Sequence, residues 1–292
     1  MSRRALVLSG GGPVGIAWES GIAAGLAEAG VFLAEADLIV GTSAGSVVGA
    51  QLALGRRPQD MVQAQVARRQ AAAESQGPAP ASPPDLTPLM EMMMRAYSAS
   101  GSPEALRAEI GAFALNAKTA PEAAFVANFE RMLGSASWPD RRFVCTAVDA
   151  LDGSFRTWDR DSGVELSRAV ASSCAVPGIF PPISINGRRY MDGGMRSGTN
   201  ADLARGHDSV VIISLAGGAG TDMRAEMARQ RLEREIDGLE RGGGAVELIV
   251  PDEDSRQAIG INPMDARRNA GAAESGACQG KAEASRLRDF WR

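Results

Sequence analysis

The pattern that most constrains this sequence occurs twice before Gly55: a short apolar run, a glycine-containing turn, then apolar residues at helical spacing. Ala5-Leu6-Val7-Leu8 leads into Ser9-Gly10-Gly11-Gly12, after which Ile16, Ile22 and Leu26 recur at helical intervals up to a stop at Gly30. Asp37-Leu38-Ile39-Val40 leads into Gly41-Thr42-Ser43-Ala44-Gly45 and a second helical stretch, Ser46 to Leu54, closed by Gly55. Apolar runs of three or four residues bounded by turns read as buried strands. A strand followed at once by a helix builds a parallel sheet covered by helices, with its functional loops at the carboxyl ends of the strands. The predicted fold class is α/β, with a mostly parallel central sheet flanked by helices.

The next stretch differs. Residues 56 to 75 look helical, Gly77-Pro78-Ala79-Pro80-Ala81-Ser82-Pro83-Pro84 reads as a linker of helix breakers, and Leu89 to Ala96 and Pro103 to Leu133 look helical again. Residues 56–137 are therefore expected to be a helical insertion. Strand signals return at Arg142 to Val148 and Phe155 to Trp158, joined as a hairpin, then at Arg189 to Met191, Val210 to Leu215 and Val246 to Val250. A charged helix is expected over Thr221 to Leu239. The 292 residues are read as one domain, with 216–292 as a C-terminal extension of helices and strand.

Composition removes several classes of function. With 31 Lys+Arg against 35 Asp+Glu, a net charge of −4, the chain lacks the positive excess that sequence-independent nucleic-acid binding requires. Three widely spaced cysteines, Cys145, Cys174 and Cys278, form neither a disulfide framework nor a thiolate metal site, which fits a reducing compartment. No apolar run approaches the ~20 residues of a membrane span, and the N-terminus lacks a signal-peptide core, so a cytoplasmic location is expected.

Chemistry concentrates in two glycine loops and one acid. Gly41-Thr42-Ser43-Ala44-Gly45 is a GxSxG sequence, and between a strand and a helix it reads as a nucleophile elbow, with Gly41 and Gly45 leaving room for a sharp turn that exposes the Ser43 hydroxyl. A serine needs a base and donors for the oxyanion of its tetrahedral intermediate. Gly10, Gly11 and Gly12, with Gly15 behind them, can present backbone N–H groups at a helix N-terminus. The same segment also matches the dinucleotide pattern GxGxxG, but Asp37 precedes the second strand, where the ribose-binding acid should follow it. Histidine is the usual base, and the chain has one, His207, placed before a strand and hence at the wrong end of a parallel sheet. That leaves Asp192, after a strand and before Gly193 and Gly194, which allow close approach to another loop; a plain Asp-Gly turn is the alternative. Burial could raise its pKa far enough for it to take a serine proton.

Four blocks in order, Gly10-Gly11-Gly12-Pro13-Val14-Gly15, Gly41-Thr42-Ser43-Ala44-Gly45, Ala171-Ser172-Ser173-Cys174-Ala175-Val176-Pro177 and Asp192-Gly193-Gly194, resemble the patatin-like phospholipase family over roughly residues 5 to 215. The resemblance implies a three-layer patatin-like fold and a Ser43–Asp192 dyad that hydrolyses acyl esters of lipids through an acyl-enzyme, with no histidine, metal or cofactor. It implies a lipid or other acyl ester as partner, with transient membrane-surface contact. An esterase, thioesterase or transacylase would use the same dyad, and a nucleotide-binding or scaffolding protein could keep the fold without turnover. Members often carry Arg or Lys where this chain has Val14, so Arg196 is a candidate for the missing positive charge, against the simpler reading of an exposed arginine. Leu89-Met90-Glu91-Met92-Met93-Met94 reads either as helix packing or, following the proline linker, as a lid for acyl chains.

Overall fold

In the computed structural model, residues 3–74, 84–98, 101–134, 137–215 and 223–292 are described. β1 (Arg4–Leu8) and β2 (Leu38–Gly41) pair in parallel, as their apolar runs predict. β7 (Ser209–Ile213) lies on the other side of β1, β8 (Ala245–Ile249) beyond it, and β3 (Phe143–Asp149) beside β2, all parallel. Three antiparallel strands complete the sheet at the β3 end: β4 (Phe155–Trp158), β5 (Ile183–Ile185) and β6 (Arg188–Asp192). The hairpin of β5 and β6 turns on Asn186 and Gly187, both at positive φ, the backbone that favours Asn-Gly in two-residue turns.

Strand alternation divides the core between the two faces of the sheet. Leu6, Leu8, Ile39, Val211 and Ile213 belong to the larger cluster with α1 (Gly12–Glu28), α2 (Ala44–Ala53), α6 (Glu122–Leu133) and α7 (Leu166–Ser173). Ala5, Val7, Leu38, Val40, Val210 and Ile212 face the other way, onto Leu232 and Leu239 of α8 (Met223–Glu240). These are the three layers of an α/β fold.

The region 56–137 holds α3 (Pro58–Glu74), α4 (Thr87–Ser98), α5 (Pro103–Asn116) and α6. Met61 of α3 and Phe125, Phe129 and Leu133 of α6 are part of the main core. By contrast α4 and α5 join a separate cluster, Leu89, Ile110 and Ala114 with Val148, Ala150 and Met191, at the end of β3 and β6. Most of the linker, 77–83, lies outside the described residues.

Beyond the predicted strands the chain forms α9 (Glu253–Ile259) and α10 (Asn269–Phe290). α10 lies on α1 with backbone against backbone: a Cβ at Gly21 would come 2.3 Å from Ala273 O, at Gly25 2.1 Å from Ala277 O, at Gly276 2.4 Å from Trp18 O, and at Gly280 2.4 Å from Ile22 O. Trp18 Nε1 donates to Gln279 Oε1 across this seam (3.2 Å), and Gln279 Nε2 donates to Val250 O (2.7 Å). The C-terminal extension thus carries a sheet strand and the helix that braces α1.

Candidate active site

Register explains how two loops far apart in sequence converge. Each strand residue has one neighbour on either edge. Cys145 of β3 faces Gly41 of β2 and Trp158 of β4, and Ala147 faces Asp192 of β6 and Arg156 of β4. Since β4 occupies one edge throughout, β2 and β6 share the other, their carboxyl ends pointing at each other two residues apart along β3, about 7 Å. Whatever leaves β2 after Gly41 must meet whatever leaves β6 at Asp192.

What leaves β2 is a strained turn. Ser43 has φ 52° and ψ −116°, a left-handed φ that a non-glycine residue holds only at a cost, on the order of 1–3 kcal/mol. Its surroundings fix that geometry. The Ser43 N–H donates to Ser173 Oγ (2.9 Å), and its carbonyl accepts from Ser46 Oγ (2.6 Å) and Cys174 Sγ (3.2 Å). A Cβ at Gly45 would lie 2.2 Å from Leu8 O, and one at Gly41 2.5 Å from Gly45 O, so neither position accepts a side chain.

What leaves β6 is an equally tight turn. Asp192 is buried, and its Oδ1 accepts from Gly194 N–H (2.7 Å). A Cβ at Gly193 would sit 2.2 Å from Thr146 Oγ1. The Ser43 side chain lies near enough to the Asp192 carboxyl to favour its charged form, so the two turns bring the predicted serine and acid side by side. Burial pushes the pKa of Asp192 up to about 7, while the Ser43 side chain and the Gly194 N–H oppose the rise.

Asn200, buried and at φ 50°, ties the two loops from below. Its Nδ2 donates to Thr42 Oγ1 (3.0 Å), Ser197 O (2.8 Å) and Gly193 O (3.3 Å).

The glycine loop lies alongside: a Cβ at Gly10 would be 3.4 Å from Ser43 Cβ, and Gly45 N–H donates to Ser9 O (2.8 Å). One expectation is corrected here. Gly10 N–H donates to Gly198 O (2.8 Å), so it is spent on joining loops and is not open to an oxyanion. Gly11 and Gly12 have no acceptor for their N–H groups among the described residues. Neither does Ala44 at the start of α2, a donor that the sequence reading did not single out and that the elbow rule, which uses the residue after the nucleophile, would have found. Gly15 packs against the elbow, where a Cβ would be 3.2 Å from Ala44 Cβ.

A family model for patatin-like phospholipases matches residues 6–205. The chain belongs to the patatin-like phospholipase family. Membership makes it a hydrolase acting on ester bonds, of the lipid acyl hydrolase kind. No match was found among curated proteins. Among solved structures, VipD from Legionella pneumophila is 14% identical with a TM-score of 0.46, covering 98% of this chain and 67% of VipD. The type III effector ExoU is 16% identical with a TM-score of 0.40, covering 98% of this chain and 53% of ExoU, so the chain spans about half of that protein.

Against the patatin-like pattern, Val14 is fully buried in the core, a position where a cation would be stranded without solvent. Arg196 does not replace that charge. It forms a two-pronged ion pair with Asp202 (2.8 and 2.7 Å), donates to Asn200 Oδ1 (2.8 Å) and lies 4.2 Å over the Phe155 ring, so it is a clamp beneath the loops and not an exposed arginine. His207 precedes β7, whose Ser209 pairs with Arg4 at the amino end of β1, whereas Gly41 pairs with Leu8 at the carboxyl end. It sits at the opposite end of the strands from Ser43 and touches Ala204 O (2.9 Å). Among the described residues no His, Cys, Asp or Glu side chains gather as a metal site requires, and no helix is long and apolar enough to cross a membrane. Met92, Met93 and Met195 are half-buried against the cluster that holds Met191, just before Asp192.

Proposed function

We propose that the protein cleaves acyl esters of lipids with Ser43 as nucleophile and Asp192 as its base. The observation that carries this reading is the buried Asp192 carboxyl, set beside a serine held at a strained elbow and poised to gain or lose a proton near neutrality. Asp192 takes the Ser43 proton as Oγ attacks the ester carbonyl. The oxyanion is held by the N–H groups of Gly11 and Gly12 at the N-terminus of α1, where helix polarity favours negative charge. Collapse returns the proton to the departing alcohol and leaves an acyl ester on Ser43. Asp192 then activates water, which releases the fatty acid and restores the hydroxyl. The half-buried methionines of α4 and Met195 supply an adaptable apolar wall for the acyl chain. Fully exposed Ile261 shares a loop with Pro263 and Met264, which abut Gly12, and this favours transient contact with a membrane surface.

A fluorophosphonate probe tests the reading. Covalent labelling is expected in the native protein and absent in Ser43→Ala. Asp192→Asn should lower turnover of a phospholipid or nitrophenyl ester by at least ~10³-fold, as loss of a base in such a pair does, while His207→Ala stays within about twofold of native. Labelling that survives in Ser43→Ala, or a larger loss at His207 than at Asp192, overturns the assignment.

A further inference from the structure

Among the described residues, one buried acid outside the proposed dyad has no cation beside it, whereas buried Asp149 pairs with Arg188. Glu19, on α1, is completely enclosed, burial pushes its pKa well above the ordinary carboxylate range, and its Oε2 has no partner among the described residues. Its other oxygen lies 3.5 Å from Ser9 Oγ. Ser9, also buried, joins β1 to the glycine loop: its Oγ donates to Gly10 O (3.1 Å) and accepts from Leu215 N–H (3.1 Å).

The carbonyl of Gly10 and the N–H of Gly11 belong to one planar peptide and point in opposite directions. A group that grips Gly10 O therefore sets the direction of Gly11 N–H. The grip matters because Gly10 and Gly11 lack side chains and the peptide between them can rotate with little steric resistance. A half-turn would aim a carbonyl oxygen at the oxyanion and repel it.

We propose that Ser9 and Glu19 are positioning residues for ester hydrolysis: the Ser9 hydroxyl, oriented by Glu19, clamps the Gly10 carbonyl and so aims Gly11 N–H at the forming oxyanion. Ser9 has a single proton, which can go to Gly10 O or to Glu19 but not to both. With Glu19 neutral, its O–H donates to Ser9 Oγ, whose own proton then stays on Gly10 O. With Glu19 ionised, the Ser9 proton turns toward the carboxylate and the clamp opens. A buried neutral acid keeps the loop in its working form.

This inference rests on the Ser43–Asp192 reading, and the experiment separates the two. Labelling of native protein by a fluorophosphonate, lost in Ser43→Ala, secures the reading first. Ser9→Ala is then expected to lower kcat for a nitrophenyl ester by about 10- to 100-fold, less than the ~10²–10³-fold lost when an oxyanion donor is removed outright. KM should stay within about twofold, fluorophosphonate labelling should slow in parallel, and the pH at which activity is half-maximal should not move. Glu19→Gln, neutral and able to donate, should keep at least a third of native kcat, and Glu19→Leu should resemble Ser9→Ala. Should Glu19→Leu not fold, Ser9→Ala and Glu19→Gln carry the test. Native kcat in Ser9→Ala, a loss in KM alone, or a Glu19→Gln loss as deep as that of Ser9→Ala overturns the clamp and leaves the dyad standing.

Discussion

Glycine does opposite things at the Ser43 elbow and along the α1–α10 seam. In both places a Cβ would strike backbone at well under 3 Å. At the elbow, Gly41, Gly45 and Gly193 make room for arrangements that cost stability: a serine at positive φ and a carboxyl enclosed without a counter-charge. Along the seam, Gly21, Gly25, Gly276 and Gly280 bring two helices into contact without strain, and that contact stabilises. The molecule holds backbone strain where its reaction would occur, and close helix packing just behind it.

The largest expected effect that could break this contrast comes from the elbow. Gly45→Ala should reduce ester hydrolysis by more than ~10³-fold, comparable to losing the nucleophile, and circular dichroism should show that folded molecules in such a sample are still inactive. An active Gly45→Ala would mean that the elbow tolerates relaxation and is not strained for function.

The next test uses pH. Folded protein keeps the Asp192 proton up to about 7, whereas the unfolded chain releases it near the ordinary carboxylate value of about 4. The folded state binds more protons across that window, so the contribution of Asp192 to stability falls as pH rises from about 4 to about 7 and is level above. Activity runs the other way, because the base must be ionised: kcat/KM should climb about tenfold per unit below 7 and flatten above it. Asp192→Asn should remove this part of the stability slope and raise Tm at pH 8 by a few degrees, about 2–4 °C per kcal/mol. A rate limb centred near pH 4 would place the catalytic proton elsewhere.

The smallest effect belongs to the seam. Gly276→Ala should lower Tm by about 2–12 °C, corresponding to the ~1–3 kcal/mol of an overpacked contact, with kcat well below Tm reduced no more than about threefold and no dependence of the loss on pH. A seam variant that loses activity as the elbow variant does, at unchanged Tm, would show that α10 acts on the loop and not merely on stability.

Legibility in the sequence followed distance along the chain. The elbow and the glycine loop were readable because strand, turn and helix are contiguous there, and the chemistry of Ser43 follows from its immediate neighbours. Asp192 could be named from its turn, but its meeting with Ser43 depends on β2 and β6 sharing one edge of β3, a register that neither segment encodes alone. The β5–β6 hairpin was overlooked although Asn186-Gly187 announces it. Gly10 was read as an oxyanion donor because its partner, Gly198, is remote in sequence. Glu19 gave no signal: an acid inside a helix ordinarily faces water, and only the packing of α1 between sheet and α10 encloses it. The seam itself reads as scattered small residues until its two halves are seen together.

The pairing of α1 with α10 sets an order of events. Ribosomes deliver the glycine loop, Ser43 and Asp192 before the helix that braces α1 has been made, and Arg4 at the start of β1 waits for the backbone oxygen of Trp291 to arrive (2.7 Å). A nascent chain therefore holds both turns, at Ser43 and at Asp192, before the helix that packs against α1 exists to close the fold behind them.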